Sequence, residues 1–136
     1  MKTIILVIIL TLSTSFAKDT SAYDNFGGKK VIKKVVDDLM TNLLSNKRTK
    51  PFFEFTDQDR IKNKLVEQFC SELGGPCKYT GKSMKESHED QEIKRSHFFA
   101  LVEELQKAMD QNKVPQRAQN KLLAKLAPMH KDVVTE

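Results

Sequence analysis

A chain of 136 residues, with 23 Lys and Arg against 18 Asp and Glu and a net charge of +5, is one domain at most. Its bases and acids are interspersed rather than blocked, the pattern of solvated helix surface, which gives little support for nucleic-acid binding. Its two cysteines have no adjacent histidine, which argues against a cysteine-based metal site.

The N-terminus reads as a secretory leader. Lys2 supplies the basic start, Ile4–Leu10 an apolar centre, and Ser15-Phe16-Ala17 a small-residue exit, so cleavage is expected after Ala17. The apolar run is too short for a membrane span, which needs roughly 20 residues. Loss of residues 1–17 leaves 22 bases and 18 acids, a mild +4. The expected product is one exported domain, residues 18–136, with no membrane segment.

Lys18 to Asn25 reads as a short polar lead, ended by Gly27-Gly28. From Lys29 to about Asn46, Val31, Val35, Leu39 and Leu43 recur every four residues, with Ile32, Val36, Met40 and Leu44 beside them. This predicts a helix with a broad apolar stripe. Pro51-Phe52-Phe53-Glu54-Phe55 forms an aromatic connection. Thr56 reads as the cap of a second helix over 57–73, whose face carries Ile61, Leu65, Phe69 and Leu73; Gly74-Gly75-Pro76 stops it. Cys70 and Cys77 lie seven positions apart across that stop. In an exported chain an even count favours a disulfide, although this spacing also fits two free thiols.

Residues 77–92 are polar and without apolar period, and the pattern alone gives a loop with one helical turn at most. Ile93, Phe98, Leu101, Val102, Leu105 and Met109 then predict a third amphipathic helix, closed by Asn112-Lys113-Val114. Pro115 opens a fourth, with Ala118, Leu122, Leu123 and Leu126 on its stripe and Pro128 kinking or ending it. No segment alternates with period two, so the fold class is all-α with about four main helices. No internal repeat, Gly-rich phosphate loop or zinc spacing occurs.

An ordered set of short motifs goes further. Tyr23-Asp24-Asn25-Phe26-Gly27-Gly28, Val35-Val36-Asp37-Asp38, Pro51-Phe52-Phe53, Leu73-Gly74-Gly75-Pro76, Tyr79-Thr80-Gly81, Met84-Lys85 with His88, Ile93, His97-Phe98, Val114-Pro115 and Ala127-Pro128 follow one another across residues 22–134. No single motif is specific, but their order and spacing are, and the chain resembles a group I truncated haemoglobin. The resemblance implies a two-over-two helical sandwich around non-covalent haem b, with residues 29–46 and 57–73 on the distal side, 94–112 and 115–134 completing it, and the polar segment that holds His88 as a short proximal helix with its loop. No Cys-x-x-Cys-His tether is present.

It also implies roles for residues. His88 matches the proximal iron ligand, and a neutral imidazole is a good donor to haem iron. His97, beside Phe98 and Phe99, reads as a half-buried or surface histidine, and His130 as a surface one. Phe53, Ile61, Leu65, Phe69, Met84 and Phe98 are expected against the cofactor, with Arg60, Lys64 and Tyr79 near its propionates. Where many relatives carry a distal Tyr and Gln, this chain has Met40 and Leu65, and the position over the iron is Ile61. The distal pocket, Met40, Ile61 and Leu65, is therefore expected to be apolar, with Gln68 the nearest polar side chain but rotated off the Ile61–Leu65 line. A donor there stabilises the partial negative charge of bound dioxygen by about 1–3 kcal/mol, so its loss predicts fast release. Lys64 is either a sixth iron ligand, as a neutral amine, or a surface lysine covering the haem edge.

The leading functional expectation is reversible binding of a diatomic gas, dioxygen, nitric oxide or carbon monoxide, with an unidentified reductase as a candidate partner. A nitric oxide dioxygenase or peroxidase-like enzyme is the alternative, and the apolar pocket argues against it. A Lys-ligated electron-transfer haem protein and a helical carrier for an apolar ligand complete the set.

Overall fold

The computed structural model describes residues 19–136, so the leader expected over 1–17 lies outside the described residues. Every described element is helical: α1 (Ser21–Phe26), α2 (Gly28–Ser45), α3 (Gln58–Glu72), α4 (Met84–His88), α5 (Arg95–Gln111), α6 (Gln116–Leu126) and α7 (His130–Val133), with single 3-10 turns at Lys50–Phe52 and Ala127–Met129. Among the described residues no helix is long and apolar enough to cross a membrane.

The breadth of the α2 stripe explains its central place. Ile32, Val35, Val36, Leu39, Met40 and Leu43 are all buried, and the helix packs against both α3 and α5. Leu105, Ala108 and Met109 of α5, Phe69 and Cys70 of α3, and Ala118 and Leu122 of α6 complete one core with it. A polar seam runs beside this apolar contact. Asn42 donates from Nδ2 to the Glu104 carbonyl at 3.4 Å and to Gln111 Oε1 at 3.2 Å, and Asn46 Nδ2 donates to Glu104 Oε1 at 2.9 Å. Asn112 Nδ2 donates to Asp38 Oδ2 at 2.7 Å.

The polar lead is a helix, contrary to expectation. Phe26 is buried and Ala22 and Tyr23 pack on the core; six residues are too few to show a period, so tertiary contact decides. Gly27 separates α1 from α2 with φ +112°, and a Cβ there would lie 2.5 Å from Val31, which only glycine tolerates. Thr56 is not the cap of α3. Asp57 is, its Oδ1 accepting from the Arg60 N–H at 3.1 Å, while Thr56 Oγ1 donates back to the Phe53 carbonyl at 2.7 Å. Pro128 lies in the 3-10 turn that separates α6 from α7.

Cys70 and Cys77 are joined as a disulfide, with Cα atoms 5.7 Å apart. It ties the buried end of α3 to the start of the polar segment. Within that segment α4 forms because Ser83 and Glu86 make a capping box: Ser83 Oγ accepts from the Glu86 N–H at 3.2 Å and Glu86 Oε2 accepts from the Ser83 N–H at 3.3 Å. No residue of α4 is buried. It packs on α7.

Candidate functional site

A cavity of about 660 Å³ opens between α2, α3, α4 and α5, within the roughly 300–1,000 Å³ of cofactor-sized sites. Its walls are mainly apolar. Leu39 and Leu43 come from α2, Phe52 and Phe53 from the aromatic connection, Ile61, Leu65 and Phe69 from α3, and Phe98, Leu101 and Leu105 from α5. Ile61, Leu65 and Phe98 are only half-buried because the side that faces the cavity has no protein partner. Sequence patterns count such residues as core, since a helix stripe that faces a cofactor has the same period as one that faces another helix.

His88 stands at the C-terminal end of α4 and lines this cavity. Its Nδ1 lies 2.7 Å from the Met84 carbonyl and 2.9 Å from Ser87 Oγ. A carbonyl only accepts, so Nδ1 carries the proton and Nε2 keeps its lone pair. Among the described residues Nε2 has no hydrogen-bond partner. A metal-ligating histidine is oriented in this way, with one nitrogen held by an acceptor and the other left for the metal. The residues present therefore fit a haem: a mainly apolar cavity with one pre-oriented imidazole and cations at its rim. Among the described residues no group of three or more His, Cys, Asp or Glu could hold a metal ion by itself.

The rim is a network. Lys64 Nζ lies 3.3 Å from both carboxylate oxygens of Glu67 and donates to Thr80 Oγ1 at 2.5 Å. The Thr80 N–H donates to Glu67 Oε2 at 3.0 Å. That backbone bond, helped by the Thr80 hydroxyl and the Lys64 charge, holds the Glu67 carboxyl below the ordinary value of 4.5. Tyr79 Oη donates to the Lys82 carbonyl at 2.6 Å, and burial, then the Glu67 charge, pushes its phenol up. Gly81 lies against the Tyr79 ring so closely that a Cβ would sit 2.3 Å from Oη. Arg60 is exposed and Lys64 half-buried where they border the cavity.

The structure brings His88, Phe53, Ile61, Leu65, Phe69, Met84, Phe98, Arg60, Lys64 and Tyr79 to one cavity. Met40 is the exception. It is buried at 4 % exposure, while Leu39 and Leu43, one helical turn apart, form the α2 wall; Met40 is rotated about 100° from Leu39. His130 is not a surface residue. It is half-buried, with its ring 4.9 Å from Phe98 in an edge-to-face contact. His97 lines the cavity, its ring tilted against Phe52 at 4.8 Å, and its Nδ1 accepts from the Lys94 N–H at 3.1 Å. Gln68 is the polar residue that sequence reasoning set aside. It is 8 % exposed and lines the cavity. Its position three after Leu65 is the signal, because i and i+3 share a helix face.

Comparison with known proteins agrees with this geometry. Residues 21–135 match the bacterial-like globin family. The chain is 33% identical over 119 residues to the group 1 truncated haemoglobin GlbN of Mycolicibacterium paratuberculosis, covering 88% of each. It is 33% identical over 88 residues to the group 1 truncated haemoglobin of Tetrahymena pyriformis, 65% of this chain and 73% of that one. The crystal structure of the Tetrahymena pyriformis truncated haemoglobin in its Fe(III) form superposes with a TM-score of 0.80 at 28% identity, over 85% of this chain and 98% of that one. A 2/2 haemoglobin of Synechococcus sp. PCC 7002, with covalently attached haem, shares the fold at 22% identity and a TM-score of 0.78, over 88% of this chain and all of that one. The fold and site define a haem-binding globin of the two-over-two class. Within it, the chain belongs to the group 1 truncated haemoglobins.

Proposed function

We propose that the cavity holds haem b non-covalently, with His88 Nε2 as proximal ligand, and that the protein reversibly binds a diatomic gas, dioxygen, nitric oxide or carbon monoxide. The contact of 2.7 Å between His88 Nδ1 and the Met84 carbonyl carries the reading, because it fixes the tautomer whose Nε2 can ligate. Bound haem would supply an open coordination position for the gas. The chain's own residues do the rest. Leu39, Leu43, Ile61 and Leu65 exclude water and offer no hydrogen-bond donor from their side chains. Arg60 and Lys64 place cations at the rim, where the propionates would lie. The Tyr79 hydroxyl is committed to Lys82 and serves the loop first.

Lys64 acts as a rim residue rather than a sixth ligand, since ligation would cost its ion pair with Glu67 and its bond to Thr80. Residues 1–17 act as a leader, and the mature chain begins at Lys18; the Cys70–Cys77 disulfide supports an oxidising destination. Sequencing the N-terminus of secreted material tests this, and an intact Met1 in that material would overturn it.

Reconstitution with haem is the decisive experiment. The expected result is one haem per chain, a Soret band, and a high-spin ferrous form without added gas. His88→Ala should lose the native spectrum; an unchanged spectrum in that variant would sink the assignment. Haem should leave the denatured chain on acid extraction. Retention would instead indicate attachment, with His97, which lines the cavity, as the residue to examine.

A further inference from the structure

Gln68 is a buried primary amide in a cavity whose walls are otherwise mostly apolar, and the use the chain makes of it is specific. Its Nε2 lies 3.4 Å from Met84 Sδ and 3.4 Å from Met129 Sδ. An amide NH2 has two donors and meets two thioethers, both weak acceptors. These sulfurs belong to separate elements. Met84 opens α4, and Met129 ends the 3-10 turn that leads into α7.

We propose that Gln68 is a positioning residue for the proximal imidazole, acting through Met84. The inference rests on the haem reading above. α4 has five residues and none of them is buried, so no apolar stripe holds it in place. Its capping box fixes its helical shape but not where it sits. Location comes from its packing on α7 and from the Gln68 amide, which joins α3 to Met84 and Met129 at once. Met84 is the residue whose carbonyl accepts from His88 Nδ1. The path is therefore short: Gln68 amide, Met84 side chain, Met84 carbonyl, His88 ring. Displacement of Met84 changes the angle and strength of the Nδ1 hydrogen bond, and with it the basicity of Nε2. This also accounts for the fate of the polar residue nearest the proposed distal wall. Its amide is engaged toward α4 and α7, leaving Ile61 and Leu65 as an apolar pair.

Two variants test the proposal. Gln68→Leu removes both donors. Met84→Leu with Met129→Leu removes both acceptors at nearly constant volume, and keeps the question open to test if Gln68→Leu folds poorly. The reading is the iron–histidine stretching band of the ferrous, gas-free protein by resonance Raman. Both should bind haem one to one, and both should shift and broaden that band relative to wild type. An unchanged band in fully loaded Gln68→Leu overturns the proposal. So does an unchanged band with faster dioxygen release, which would put the amide on the gas side. The imidazole of the apoprotein gives an independent arm. Nitrogen-15 NMR should find His88 with its proton on Nδ1 in wild type and a larger share on Nε2 in Gln68→Leu. Failure of wild type to take up haem would count against the functional reading, whereas equal tautomer populations in the two apoproteins would count against Gln68.

Discussion

Glu67 shows how one carboxylate organises the rim of the cavity. It accepts from the Thr80 N–H and hydroxyl and pairs with Lys64, and the backbone bond from Thr80 leads in holding its pKa below the ordinary 4.5. A depressed folded pKa contributes stability above the unfolded value that is lost as pH falls through the folded one. The clasp should thus be intact at every pH above about 4.5 and open only in stronger acid. Carboxyl carbon NMR should place the Glu67 midpoint below that of an exposed Glu, and a midpoint at or above it would contradict the argument. Glu67→Gln frees the Lys64 amine, so a low-spin ferrous form at alkaline pH is expected in that variant and not in wild type. Along the same helix, the absence of a donor on Ile61 and Leu65 predicts dioxygen release roughly 5- to 150-fold faster than from a pocket with one donor. Stopped-flow release kinetics of Leu65→Gln against wild type check it, slower release being expected. At this scale legibility was uneven. His88 was visible through the motif order, but its tautomer was not, because it depends on where the Met84 carbonyl points. Gln68 was recognised as the nearest polar side chain, but a helical wheel that separates it from Leu65 by about 60° could not show that its amide reaches Met84 and Met129.

Among the elements, the first three long helices were legible within one residue at each end; the fourth was legible at its start, but its expected run to 134 is divided by the 3-10 turn at Ala127–Met129; α4 was legible only as a short helix that the resemblance implies, and α1 was not. α1 is too short to carry a period. Periodicity alone gave α4 no more than one turn because its stripe is absent, although Ser83 followed three residues later by Glu86 is a capping signature. Ser83→Ala should cost about 1 kcal/mol, the usual worth of such a cap. Since α4 carries His88, the loss should appear as faster haem transfer to a scavenging globin rather than as a large fall in overall melting temperature. The disulfide acts on the same segment from its other end. With its cysteines seven positions apart, the chain-entropy value for so short a loop is about 2.5 kcal/mol. Cys70→Ala with Cys77→Ala should lower unfolding stability by about that amount, measured by urea titration of both proteins. An equal midpoint in the two would show that the native loop is ordered without it.

For the molecule as a whole, a cavity of about 660 Å³ beside the core means that the apoprotein lacks a large part of its interior. Haem binding should raise the melting temperature with haem concentration, as any ligand of the folded state does. That cavity is the part of the fold that periodicity could not reveal, because its lining reads as ordinary core. The seam between α2 and α5 bears on how its width is kept. Two smooth apolar helices can slip past one another in steps of about 1.5 Å per residue with little penalty. Here Asn42 and Asn46 are keyed to Glu104, and Asp38 to Asn112, so a slip of even one residue unmakes all of them together. The seam is a ruler: it sets the distance along the axis between Leu39 and Leu43 on one helix and Leu101 and Leu105 on the other, and so keeps the slot at one gauge for a rigid planar guest.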